Sequence, residues 1–177
     1  YELNNKFQFH TTDLSISDKN YSAVGWIAEH KVIMISILEF IAEIDNINKI
    51  PTSVIPNTNN YDLIVAADGS NSTTKKKLKT PSFNFNYDQV GITAKVLLRG
   101  IKTNEAFEIL NSEGTFEILP LGRDLFKIIC TQSSAKGNYN LSLPNSLFLD
   151  HLETILPKGI EIDTIVDQRN YFPINFI

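Results

Sequence analysis

The chain has 177 residues, 42% of them hydrophobic and 20% charged, with a formal charge of −4. That length supports a real core, and the balance is that of a soluble globular protein with no broad electrostatic footprint for nucleic acid. The single cysteine, Cys130, excludes an internal disulfide and a cysteine-rich zinc site; it reads as a buried thiol in a reducing compartment.

Taken in chain order, 6–14 (KFQFHTTDL) and 21–29 (YSAVGWIAE) suggest two strands. Residues 31–44 (KVIMISILEFIAEI) place Met34, Ile37, Leu38, Ile41 and Ile44 at helical spacing, which predicts a largely buried helix. Glu29, His30, Lys31, Glu39 and Glu43 interrupt the apolar stretch 24–44, so it is no ordinary transmembrane span. Residues 46–60 carry two prolines and many asparagines and read as loop with one short strand at most.

The run 62–67 (DLIVAA) has the pattern of a strand covered on both faces, and 72–79 can follow as a helix. Residues 89–98 predict a strand, 106–110 and 115–119 a hairpin across Asn111–Gly114, and 125–131 a further strand. Residues 144–156 predict a helix capped by Asn145 or Ser146 and stopped by Pro157; 160–166 and 168–174 are late strands. This order predicts an α+β fold, with an antiparallel or mixed sheet and helices.

The chemistry-bearing stretch is YDLIVAADGSNSTTKKKL, 61–78. A strand delivers Asp68-Gly69 to a turn, where glycine lets the backbone approach a ligand. Ser72 suits an N-cap, and the helix start behind it would present amides and a partial positive end to a phosphate. Lys75, Lys76 and Lys77 add positive charge. Ionised Asp68 accepts only, from a ribose hydroxyl or a backbone amide. A plain strand-turn-helix with a solvated lysine face explains the same residues without a ligand.

The stretch resembles the D-G-x-x-S-x-x-R motif of the flavin-dependent aromatic hydroxylases, the para-hydroxybenzoate hydroxylase superfamily. Asp68, Gly69 and Ser72 match; Lys75 stands where the family has Arg, which keeps the charge but loses the planar fork. Further segments are similar in order and spacing: VGWIAEHKVIMISIL at 24–38, with His30 in place of Asn, YDQVGITAKV at 87–96, FEILNSEGTFEILPL at 107–121, IICT at 128–131 and YFPI at 171–174. Together they resemble the ubiquinone-biosynthesis hydroxylase branch.

The resemblance implies an FAD-dependent monooxygenase using NAD(P)H and acting on an aromatic ring of a polyprenylated phenol. It implies cofactor-binding roles for Asp68, Gly69, Ser72 and Lys75, and leaves the catalytic residues unknown. It divides the chain into substrate-domain strands at 1–30, part of a Rossmann-like FAD domain at 31–80, and a substrate-binding domain at 81–177. None of the eight glycines forms a G-x-G-x-x-G turn, and no G-D motif follows YFPI, so the chain reads as the central part of a longer enzyme. On that reading it binds FAD poorly alone and is inactive, and strand 62–66 stays unpaired or finds another chain. A prenyl reductase or halogenase of the same superfamily and a non-catalytic small-ligand module remain the alternatives.

The three histidines show no metal spacing, so no metal is expected. Arg123 reads as a hairpin-tip residue. Trp26, Phe107, Phe116 and Phe126 read as core or as an aromatic pocket. The placement expected is cytoplasmic, with peripheral membrane association and a homo-oligomer of the whole enzyme left open.

Overall fold

The computed structural model describes residues 25–50 and 58–176. They form two compact units: His30–Phe85 with the chain from Asn175 onward, and Asn86–Ile174 with the segment that ends at Glu29.

The first of these units holds helix α1 (His30–Ala42), a 3-10 turn at Thr58–Asn60 and helix α2 (Thr73–Lys77). The spacing of 31–44 thus foretells α1, but not its surroundings. No residue of α1 is buried, and Phe40 is 66% exposed. HKVIMISILEFIA is apolar almost all round, so burying it takes neighbours on several sides; among the described residues nothing supplies them. The strand expected at 62–66 is absent too, and Leu63 and Val65 are 77% and 76% exposed. An apolar run becomes a strand only where an edge offers its N–H and C=O groups partners, and no strand partner for it exists among the described residues. The strand expected at 6–14 lies outside the described residues, as does 21–24 of the next; 25–29 forms no strand.

The second unit is a six-stranded sheet with two helices. Its strands are β1 (Phe85–Arg99), β2 (Phe107–Asn111), β3 (Gly114–Gly122), β4 (Leu125–Ser133), β5 (Glu161–Ile165) and β6 (Asn170–Phe176). The order is β2-β3-β4-β1-β5, with β6 also paired to β1. The β1–β4, β1–β5, β2–β3 and β3–β4 pairs are antiparallel. Helices α3 (Ser134–Ser142) and α4 (Asn145–Glu153) complete an α+β unit, as the element order predicts. At the β2–β3 turn, the Asn111 side-chain oxygen accepts from the Glu113 and Gly114 amides at 2.8 and 3.1 Å.

Strand alternation sets the core. Val90, Ile92, Ala94, Val96 and Leu98 of β1 share a face with Phe126, Ile128 and Cys130 of β4 and with Phe116 and Ile118 of β3. Phe148 and Leu152 of α4 close over this face, both fully buried. Each such side chain contributes about 1.5–3 kcal/mol by leaving water. Phe107, Phe116 and Phe126 therefore belong to the core; Trp26 is exposed.

The sequence gives α4 no side-chain cap: Pro144 stands at the N-cap and its carbonyl accepts from Phe148 N at 3.0 Å, in place of the Asn145 or Ser146 cap expected. Helix α3 answers to no predicted element. It packs close because Gly137 has no side chain; a methyl group there would lie 2.1 Å from Cγ2 of Val90. Arg169 ties down its far end, donating to the carbonyls of Asn140 (2.7 Å) and Leu143, with the guanidinium 4.8 Å from the Phe148 ring centre.

Candidate functional site

The Asp68–Lys75 loop is built around one carboxylate. Asp68 accepts from the Ser72 hydroxyl at 2.5 Å and from the Thr73 and Thr74 amides at 2.9 and 3.1 Å. Ser72, in turn, caps α2 by accepting from Lys75 N at 2.9 Å. The Ser72 hydroxyl first, then the Thr74 amide, hold the Asp68 carboxyl well below the usual carboxylate range. Ser72 is buried, so the cap is an inner part of the loop.

Of the partners open to Asp68 on sequence grounds, the backbone amide is the one it takes here. The first amides of α2 are occupied by Asp68 and Ser72. Asp68 therefore shapes the loop. Gly69 adopts φ 77°, a left-handed conformation, and nothing lies within 4 Å of where a side chain would start. Helix α2 ends in a reversal in which Thr80 N donates to Lys75 O and Lys79 N to Lys76 O, with Lys79 at φ 52°. Lys75 is half-buried, whereas Lys76 and Lys77 are exposed.

A second candidate is the sheet face opposite the helices. Alternation that buries Phe126 and Ile128 sends Leu125, Lys127, Ile129 and Thr131 to this other face. Register adds Thr93, Lys95 and Leu97 of β1, and Thr115, Glu117 and Leu119 of β3. All are half-buried except Thr93, which is buried. Gly91 is covered by the Phe172 ring of β6, which would meet a methyl group there at 2.2 Å. The face is thus aliphatic, studded with hydroxyls and a few charges.

Those charges are arranged in register. Glu117 stands directly opposite Glu108, and burial first, then Glu108, push the Glu117 carboxyl up. Lys95 stands directly opposite Lys127, and Lys95 is paired with Glu29 at 2.8 Å. None of Thr93, Glu117 or Lys127 stands out in the sequence read alone. The signal that finds them is the polar residue between two core-facing ones, as in Phe126-Lys127-Ile128.

The other residues weighed from sequence fall elsewhere. Cys130 is buried in β4, and burial pushes its thiol up to about 12, so it is not a nucleophile. Arg123 sits exposed at the β3–β4 hairpin tip with φ 53°. His30 and His151 lie on α1 and α4, and His10 lies outside the described residues. Among the described residues no three His, Cys, Asp or Glu side chains gather to hold a metal, and no helix is long and apolar enough to cross a membrane.

No protein-family model matches the chain. It is similar to proteins named ubiquinone biosynthesis monooxygenase COQ6, mitochondrial, from three organisms. The Dictyostelium discoideum protein is 24% identical over 85% of this chain, the Caenorhabditis elegans protein 25% over 82%, and the Drosophila melanogaster protein 28% over 51%. The chain spans 38%, 37% and 20% of those proteins' lengths respectively. Among solved structures, CmlS, a flavin-dependent halogenase, superposes with a TM-score of 0.42 at 15% identity, over 61% of this chain and 21% of its own. The motif resemblance to ubiquinone-biosynthesis hydroxylases is borne out by these relatives.

Proposed function

From that similarity we infer that the chain is the central part of an FAD-dependent, NAD(P)H-using monooxygenase that hydroxylates an aromatic ring of a polyprenylated phenol in ubiquinone-type biosynthesis. The observation that carries the reading is the alignment of two monooxygenases of ubiquinone biosynthesis along more than four fifths of the chain. The loop geometry supports it. On this reading 31–80 is part of an FAD-binding domain, and 1–30 with 81–177 is the substrate domain.

The loop residues fit a dinucleotide in a particular way. Asp68 and Ser72 hold the turn in shape, Gly69 lets a phosphate come close to the backbone, and half-buried Lys75 supplies a cation. Bound there, the flavin would supply the redox chemistry that no side chain of this chain offers. The sheet face opposite the helices would receive the aromatic ring against Leu97, Leu119 and Ile129. The three relatives are mitochondrial by name, which lends no support to the cytoplasmic placement expected from sequence.

The test is the visible spectrum of the purified product of the whole gene. Flavin bands that bleach on adding NAD(P)H, and that weaken in Asp68→Asn because the loop loses its organising charge, are the expected outcome. A colourless protein that takes up no added FAD would sink the reading.

A further inference from the structure

We propose that the groove between α3 and α4 is a binding site for a small aliphatic carboxylate, which displaces Glu113 from Lys136 and lays its tail against Leu143 and Leu147. The site is on the helix side of the sheet, apart from the face proposed for the aromatic ring, and it stands whether or not that reading holds.

Three observations lead to it. First, the groove is preformed and mixed in character. It has a volume of about 400 Å³ and is lined by Lys136, Tyr139 and Asn140 of α3, by Leu143 just after it, and by Leu147 and His151 of α4. That is the make-up of a small-ligand site, where apolar area holds the ligand and a few polar groups orient it. Its α3 wall is fixed from behind. The buried Asn140 side chain donates to Gln132 Oε1 at 3.0 Å, and Arg169 donates to the carbonyls of Asn140 and Leu143. A wall already in place loses little freedom when a ligand arrives.

Second, the protein already puts a carboxylate on the groove's lysine. Lys136 Nζ donates to the Glu113 carboxylate, which reaches in from the β2–β3 turn, and this bond holds the Glu113 carboxyl below its ordinary range. The Glu113 side chain is 55% exposed. It leaves for water at small cost, because an ion pair open to solvent is weakly held. A ligand carboxylate makes the same bond to Lys136 and adds the burial of its tail.

Third, His151 favours the same charge. The charges acting on it are Lys136, from α3, and Glu113, from the turn; Asp150 and Glu153 share its helix and are exposed. Burial first, then Lys136, lower its pKa, and Glu113 acts the other way. Two basic side chains thus share one acidic one. A carboxylate in the groove supplies the second, and lets His151 take up a proton.

Hexanoate, neutral hexanamide and acetate test this on the purified 177-residue chain. The His151 imidazole NMR signal, assigned by its loss in His151→Asn, reports the site and gives the dissociation constants. Hexanoate should move that signal saturably and raise its titration midpoint. Hexanamide, which lacks the charge, should bind roughly tenfold more weakly, the scale of a charge-assisted hydrogen bond. Acetate, which lacks the tail, should also bind at least roughly tenfold more weakly. Glu113→Gln removes the competing carboxylate and should tighten hexanoate about threefold; a merely structural Glu113 would loosen it. Lys136→Met should bring hexanoate down to the level of hexanamide, because the aliphatic stem stays and the charge goes. Hexanoate binding no tighter than either other probe, a hexanoate affinity unchanged or weakened in Glu113→Gln, or a His151 signal that no probe moves, each overturns the site.

Discussion

Glu117 shows how a single residue on the sheet face opposite the helices costs stability. It is half-buried, and its cross-strand partner is another acid, Glu108. Both effects disfavour its ionised form and raise its pKa above the ordinary 4.5. A carboxyl with a raised folded pKa binds its proton more tightly folded than unfolded. Below the unfolded value both states are protonated and the residue costs nothing. As the pH rises through the unfolded and then the folded pKa, the penalty appears and becomes complete. Glu117→Gln should therefore stabilise the protein at neutral pH, by about 0.5 kcal/mol for a like-charge cross-strand pair. The gain should vanish below about pH 3, well under the ordinary carboxylate value, where Glu117 is protonated in either state. Urea titrations of the two proteins at neutral and acid pH check this; an equal gain at both would assign the effect to packing.

Among elements, the contact of α3 with β1 depends on Gly137. Elsewhere in a helix, alanine would be worth up to about 1 kcal/mol over glycine. Here the added methyl meets Cγ2 of Val90, a stiff side chain in the middle of the sheet. Gly137→Ala should destabilise the unit by about 1–3 kcal/mol, the cost of overpacking. Combining it with Val90→Ala should cost less than the sum of the two single changes, because the second makes the room the first needs. Thermal melting of the four proteins completes the cycle; strict additivity would mean that α3 simply shifts away.

The same helix marks where sequence patterning stops working. Strands β1 to β4 announce themselves because each alternates between a core of Val, Ile and Phe and a mixed face, so period two is visible without neighbours. SAKGNYNLS has no apolar stripe; its buried residues are Gly137 and Asn140, the latter bonded through its side chain to Gln132 at 3.0 Å. Only the Ser133 cap hints at a start. The Asp68-Gly69-Ser72 loop is legible because its parts are local: a carboxylate, a glycine turn and a cap within five residues. Lys127 and Lys95 are 32 residues apart in numbering and meet only through the β1–β4 register, which no local pattern discloses.

At the scale of the molecule, the two units differ in what holds them. The sheet unit has a core of its own, whereas α1 is an apolar helix of 13 residues with no buried side chain. An isolated helix of that length is marginal in water, since helices in proteins owe most of their stability to the face they bury. The chain spans 38% of the length of the Dictyostelium relative, so a whole protein of that size has further chain to cover α1. Hydrogen exchange should separate these states. In the 177-residue chain, the α1 amides should exchange at least roughly a hundredfold faster than those of Ile92, Ala94 and Ile128, because local openings range from near zero to the global free energy. In the product of the whole gene, α1 should become as slow as the sheet. Slow exchange of α1 in the 177-residue chain alone would mean that the helix finds its cover within this sequence, and that its apolar faces do not await another part of the protein.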